Sequence, residues 1–390
     1  MKLADDFYQR IQDRVRARLA EDELDGLIVT VPGDVAYLIG FFYAVTERPV
    51  YLWFGRDGSR FALLPELDAE YAAAQGVHAD IRTYFEYPGV RTPEQHLADE
   101  LAKSGTPLAR IGVSSALTIG AQAALVDALP SSSFIRTRIL SDLRLRKEPE
   151  EIELHRQAAD VCDEMLGAGR ALIEAALRSG GPLPTEGELA RAVIGFGTDR
   201  MYERYSHVIY TTKLAGGLVY AGPNAARPHG LPSRRRLEIG DTLILSLGAA
   251  VGSRFVESER TFVIGEPSAA QRAYFDVALR AQEIGTQAMT VGRTCASVNT
   301  ECLDVIRDAG LGGYIRHRQG HGIGIAQHEA PWVEDGDPTV LAPGMILSSE
   351  PGIYIPGHAG YRISDSVLVT ADGPQRLTRY PRTLEENTIA

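Results

Sequence analysis

The strongest constraint on this chain is a change of rhythm at Arg144-Leu145-Arg146-Lys147-Glu148-Pro149-Glu150-Glu151. A proline followed by two acids marks the first turn of a helix: proline there sacrifices no needed N–H, and the acids face the positive helix end. Apolar residues then recur at Ile152, Ala159, Cys162, Leu166 and Ile173 with helical spacing. Upstream, short β-branched and aromatic runs alternate with short helical stretches. One core does not readily serve both rhythms, and 390 residues suit two domains. The sequence therefore predicts one domain over residues 1–147 and a second over 148–390.

The first domain reads as α/β. Strand-like runs fall at Gly26–Val31, Val50–Phe54, Arg60–Leu64, Ile81–Phe85 and Ile111–Ser114, with helices at Leu67–Gln75, Pro93–Ser104 and Ile119–Leu129. No G-x-G-x-x-G follows a strand, which excludes the usual dinucleotide fingerprint. The second domain reads as α+β. Capping boxes at Thr185–Glu188 and Ser268–Gln271 open helices, and a further helix spans Ala296–Ala309. Strands are expected at His207–Thr211, Thr242–Gly248, Phe255–Ile264, Met345–Ser349 and Ser366–Thr370. This pattern predicts helices packed on one face of a curved antiparallel sheet.

Acids outnumber bases 51 to 40, a net charge of −11, which argues against general binding of nucleic acid. Lysine occurs only at positions 2, 103, 147 and 213, so 36 of the 40 bases are arginine, the residue suited to gripping carboxylates. No apolar run is long enough to span a bilayer, and the charged, helix-like N-terminus does not read as a signal peptide. Cys162, Cys295 and Cys302 form no metal-type pair and suggest a reducing cytoplasm.

Chemistry-bearing residues gather in four short segments of the second domain: around His229, across Ser246–Thr261, across His317–Glu329, and across Ser349–Asp365. Three histidines, His317, His321 and His328, fall within twelve residues among glycines that let a ligand approach the backbone. Glu257 and Glu259 sit two apart on a strand and so share a face, an arrangement that is costly when buried unless a cation lies between them. Glu350 ends an apolar strand before Pro351-Gly352.

In order and spacing, Asp241–Thr261, the His321-Gly-x-Gly-x-x-x-His328-Glu329 run and Glu350-Pro351-Gly352 resemble the pita-bread (peptidase M24) family of creatinase, prolidase, aminopeptidase P and methionine aminopeptidase. The resemblance implies a pita-bread catalytic domain preceded by a creatinase-type N-terminal domain, and a homodimer in which that domain helps cover the partner's active site. Metal-dependent members hold two divalent ions with two aspartates, one histidine and two glutamates. The matching positions here are Ser246, Glu257, His321, Glu350 and Ser364, so two ligand carboxylates are hydroxyls, which are poor ligands for hard cations.

Glu259-Arg260-Thr261 and Ser246 look more like creatinase, the metal-free branch. That likeness implies catalysis by His229, Glu259 and Glu350. It implies substrate contacts from Arg48, Glu257, His321, His328 and Arg362, and from Trp332, which stands where creatinase has an arginine. The expectation is therefore a hydrolase that cleaves a C–N bond in a small carboxylate-bearing amidine, guanidine or amide, with no cofactor. Two alternatives stand beside it. One is an Xaa-Pro dipeptidase with an altered metal site, holding a single manganese or zinc ion through Glu257, His321 and Glu350. The other is a non-catalytic pita-bread binding module.

Overall fold

The computed structural model describes residues 2–105, 108–211 and 213–390. They form two compact units, 2–143 and 144–390. The first is built on a mixed six-stranded sheet, in the order Asp80–Tyr84, Arg60–Pro65, Tyr51–Gly55, Gly26–Val29, Arg110–Ser114, Ser133–Thr137. Its central strands are buried, and Ile28, Trp53, Leu63, Ile111 and Val113 pack with Leu97, Leu101 and Leu125 from two helices. The helix Pro93–Ser104 starts at a Thr92/Gln95 capping box and ends at Gly105 in the left-handed conformation, the two ends that its sequence specifies.

In the second unit the helix begun by Pro149 runs to Ser179. Thr185 and Ser268 both cap as expected, opening the helices Glu186–Arg204 and Ala269–Ala288. A further helix spans Cys295–Asp308. A four-stranded sheet has the order Thr388–Ile389, Arg254–Ile264, Thr242–Val251, Ala215–Ala221. A five-stranded sheet has the order Glu329–Val333, Gly320–Gly322, Ile346–Ser349, Asp365–Thr370, Gly373–Arg376, and Gly352–Ile355 pairs with Ala359–Arg362.

Two expectations need correction. Residues His207–Thr211 form no strand; the pairing strand is Ala215–Ala221. Its two glycines disguise it, yet a Cβ on Gly217 would lie 2.6 Å from the Ser246 carbonyl oxygen, so the close pairing demands glycine. Helices also pack on both faces of the four-stranded sheet. Leu245 faces Gly169 on the long helix, while Ile244 and Val263 pack with Phe275, Ala278 and Ala281. The near-continuous apolar run Thr242–Val251 has no solvated face to offer.

The two main sheets meet at a bridge between Glu259 and Ser364. Beside it, Arg260 and Asp365 form a salt bridge at 2.8 Å, with both side chains 0 % exposed. Arg260 also donates to the carbonyls of Ser364 (2.6 Å), Tyr380 (2.7 Å) and Pro381 (2.8 Å). Asp365 accepts from Thr378 at 2.9 Å, Gln282 at 3.0 Å and Arg376 at 3.1 Å. Burial raises the Asp365 pKa, but Arg260 and Arg376 outweigh it, and the carboxyl stays below its ordinary range.

Arg260→Leu would strand the Asp365 charge and is expected to cost about 3–5 kcal/mol in urea unfolding, whereas a loss below about 1 kcal/mol would contradict this joint. A second expectation concerns His155, fully buried on the long helix, with Nδ1 2.8 Å from the Phe255 carbonyl. Burial, reinforced by Lys147 and Arg254, holds its pKa down to about 3. Only the unfolded chain then takes up a proton as pH falls below about 6.5, so folding loses up to roughly 1.4 kcal/mol per pH unit from there down. His155→Gln should flatten the stability-versus-pH curve between pH 6 and 4.5; an unchanged slope would refute the assignment.

Candidate active site

The segments singled out by sequence line one cavity of about 600 Å³ in the second unit. Glu257 and Glu259 reach it from the same face of Arg254–Ile264, as the two-residue period requires, and Ser246 faces them from the neighbouring strand. His321 comes from Gly320–Gly322, Glu350 follows Ile346–Ser349, and Arg362 ends Ala359–Arg362.

Two buried carboxylates away from the reacting centre shape its loops. Glu186 accepts from the backbone N–H of Ala221 (2.8 Å) and Ser233 (2.9 Å) and from the Ser233 hydroxyl (2.6 Å). It thereby pins both ends of the stretch that presents His229, an exposed residue, to the cavity. Glu329 is paired with Lys147 at 3.0 Å and with Arg144. Although burial opposes ionisation, these two cations hold its pKa down to about 2. A Cβ on Gly324 would lie 2.2 Å from Glu329 Oε1, so the loop closes over this carboxylate only with glycine there. Glu329 thus fixes the turn that carries His328.

The His321 and His328 rings lie 3.9 Å apart, centroid to centroid. Nδ1 of His321 is 3.0 Å from the Gly322 carbonyl, which leaves Nε2 facing the acids: 3.3 Å from Glu350 Oε1 and 3.9 Å from Glu257 Oε1. Neither contact has hydrogen-bond geometry, and Nε2 is buried without a hydrogen-bond partner. Burial lowers the His321 pKa, but Glu257 and Glu350 reverse this and push it up to about 9. His328 is held down to about 4, first by desolvation and then by its neighbour His321.

The acids differ among themselves. Burial raises Glu257, and the Glu350 charge adds to it; the Ser348 hydroxyl donates to Glu257 Oε1, as does Ser364 at 3.3 Å. Burial pushes Glu259 up to about 8, against the pull of Arg362, whose Nε lies 2.5 Å from Glu259 Oε2. In Glu350 burial is outweighed by His321, and the pKa falls to about 2. Three carboxyl groups are thus buried together with Arg362 and with a His321 whose charged form Glu257 and Glu350 favour.

Glu257, His321 and His328 each place a ligand atom within 4.8 Å of the others. The set of one carboxylate and two imidazoles suits manganese or zinc, and His321 Nε2 has no hydrogen bond of good geometry. One ion fits. A second, dinuclear-type ion does not, because Ser246 and Ser364 offer only neutral hydroxyls beside Glu259 and Glu257, poor ligands for a hard cation. The third member of the group is His328, where the sequence pointed to Glu350, which instead lies beside His321.

Trp332 and Arg48 were also expected to meet the substrate. Trp332 is not on the cavity wall; its ring carries the guanidinium of Arg318, 4.4 Å above it, and Arg318 lines the cavity. Arg48 belongs to the first unit, where it pairs with Glu86 at 2.9 Å and with Glu47. Sequence reasoning missed the cavity cations Lys213, Arg316 and Arg318 and the Ser348 hydroxyl on Glu257. The Arg316-x-Arg318 spacing beside His317 was the available signal for the arginines; nothing in the sequence marked Ser348.

Residues 153–371 match metallopeptidase family M24, and residues 11–145 match the creatinase/prolidase N-terminal domain. The chain is 32% identical over 391 residues to a probable dipeptidase PepE of Mycobacterium bovis, covering 97% of this chain and 96% of that one. It is 31% identical over 384 residues to an Xaa-Pro dipeptidase of Lactobacillus delbrueckii subsp. lactis, covering 96% and 98%. The crystal structure of dipeptidase PepE from Mycobacterium ulcerans superimposes with a TM-score of 0.84 at 30% identity, covering 100% of both chains.

These relatives overturn the creatinase-type reading, and with the donor group they overturn the expectation of no cofactor. That expectation counted lost aspartates but did not count His328 as a ligand. The chain belongs to metallopeptidase family M24, hydrolases of C–N bonds, with a pita-bread domain preceded by a creatinase/prolidase N-terminal domain.

Proposed function

We propose that the chain is a dipeptidase acting on Xaa-Pro bonds with one divalent cation. The observation that carries this reading is the Glu257–His321–His328 group, whose ligand atoms lie within 4.8 Å of one another. The near full-length similarity to proteins named as dipeptidases supports it. When bound, the ion supplies Lewis-acid polarisation of the scissile carbonyl.

The chain's own residues do the rest. Glu350, with its pKa down at about 2, is ionised at neutral pH and placed to accept the proton of an attacking water. His328, held neutral, can donate a hydrogen bond to the substrate carbonyl without adding charge. His229, exposed to the cavity on its pinned loop, is positioned to hand a proton to the leaving nitrogen. Arg316, Arg318 and Lys213 give the cavity cations for the free carboxylate of a dipeptide, and the carboxyls of Glu257 and Glu259 can accept hydrogen bonds from its amino end.

The same reading assigns residues 1–147 to the N-terminal domain and 148–390 to the catalytic domain, supported by the helix start at Pro149. It extends to a homodimer in a reducing cytoplasm, with Arg48 as a substrate contact. The three free, buried cysteines support the compartment. Among the described residues, no helix is long and apolar enough to cross a membrane.

Chelation should abolish hydrolysis of Ala-Pro and Leu-Pro, and manganese or zinc should restore it; full activity in the stripped protein would contradict the reading. His321→Ala should lower kcat/KM by roughly 100-fold or more and weaken metal retention in parallel. An unchanged metal content in that variant would remove His321 from the ligand set.

A further inference from the structure

His229 is exposed, so its aim is set by the backbone beneath it. Arg227–Gly230 closes a β-turn, with the Gly230 N–H donating to the Arg227 carbonyl at 2.9 Å, and His229 is the third residue of that turn. The residues on either side of His229 both rest on one side chain, that of Tyr220. Its Oη donates to the Pro228 carbonyl at 2.6 Å. A Cβ on Gly230 would lie 3.8 Å from Cδ1 of the same ring, an ordinary contact distance, so the chain leaving His229 runs along that ring.

Tyr220 is itself firmly held. It is 1 % exposed, pairs with Ile244 in the four-stranded sheet and packs with Val263, Phe275 and Ala278. The next residue, Ala221, is fixed through its N–H to Glu186. Burial raises the Tyr220 pKa to about 12, so its O–H remains a donor at neutral pH. A ring locked in the core with its polar tip on a backbone carbonyl makes a rigid post. Glu186 secures the two ends of the stretch that carries His229, and Tyr220 secures the turn between them.

We propose that Tyr220 is a positioning residue for His229: anchored in the core, it holds the turn so that the imidazole meets the leaving nitrogen of the substrate. The proposal rests on the reading of His229 as the group that hands a proton to that nitrogen. A hydroxyl spent on a backbone carbonyl takes no part in the chemistry itself, so its removal should slow turnover without weakening substrate binding.

The test is a double-mutant cycle on the metal-loaded, full-length protein. Tyr220→Phe keeps the ring and its core packing and removes only the hydroxyl. Misplacing a reacting group by a fraction of an ångström should lower kcat on Ala-Pro by roughly tenfold or more. KM and bound-metal content should stay as in the unaltered protein. In a His229→Asn background the same substitution should change kcat by less than about twofold, because the group it positions is gone. An unchanged kcat in Tyr220→Phe, or an equal loss in both backgrounds, would overturn the proposal. So would a raised KM at unchanged kcat, which would make Tyr220 a substrate contact. A full kcat in His229→Asn alone would instead overturn the proton-donor reading beneath it.

Discussion

The buried Arg260–Asp365 pair is the joint on which the catalytic half of this protein depends. Each member is a chain neighbour of a site residue: Arg260 follows Glu259, and Asp365 follows Ser364. The pair lies where the four-stranded and five-stranded sheets meet, and its further hydrogen bonds tie in the Ala269–Ala288 helix through Gln282 and the C-terminal segment through Tyr380 and Pro381. Removing two charges from water is expensive, and the cost is offset only because nearly every donor and acceptor of the pair is used. What this achieves is position. Glu257 and Glu259 are set by one strand, Ser364 and Arg362 lie just before Asp365, and the cavity walls cannot slide independently.

Around that joint the site is an exercise in charge balance. Glu257, Glu259 and Glu350 share a water-poor cavity, and each responds differently to its neighbours. Glu350 is ionised by His321, Glu259 is pushed up by burial even beside Arg362, and Glu257 is raised with no permanent cation of its own. His321 Nε2 lies 3.3 Å from Glu350 Oε1 and 3.9 Å from Glu257 Oε1 without good hydrogen-bond geometry to either. Glu257, His321 and His328 together offer the donor group that a divalent cation could use.

Much of this was legible in the sequence. The helix beginning at Pro149, the capping boxes at Thr185 and Ser268 and the shared face of Glu257 and Glu259 are local facts, decided by neighbours within four residues. The pita-bread family was readable for the same reason, because its motifs are short and ordered. What failed was non-local or depended on counting ligands by position. The Ala215–Ala221 strand was hidden because its glycines serve a close approach to Ser246 and Leu247 across the sheet. The place of His328 beside His321 was hidden because only the folded loop, shaped by Glu329 against Arg144 and Lys147, brings the two rings together. The role of Trp332 as a platform for Arg318 likewise depends on a contact between segments that no spacing rule reveals.

The donor group of one carboxylate and two imidazoles can be probed for a single divalent ion. Anomalous diffraction from crystals equilibrated with manganese or zinc tests it most directly. We expect one anomalous peak per chain, bounded by Glu257, His321 and His328. A pair of peaks bridged by Glu257 and Glu350, or no peak at all in catalytically active crystals, would contradict it.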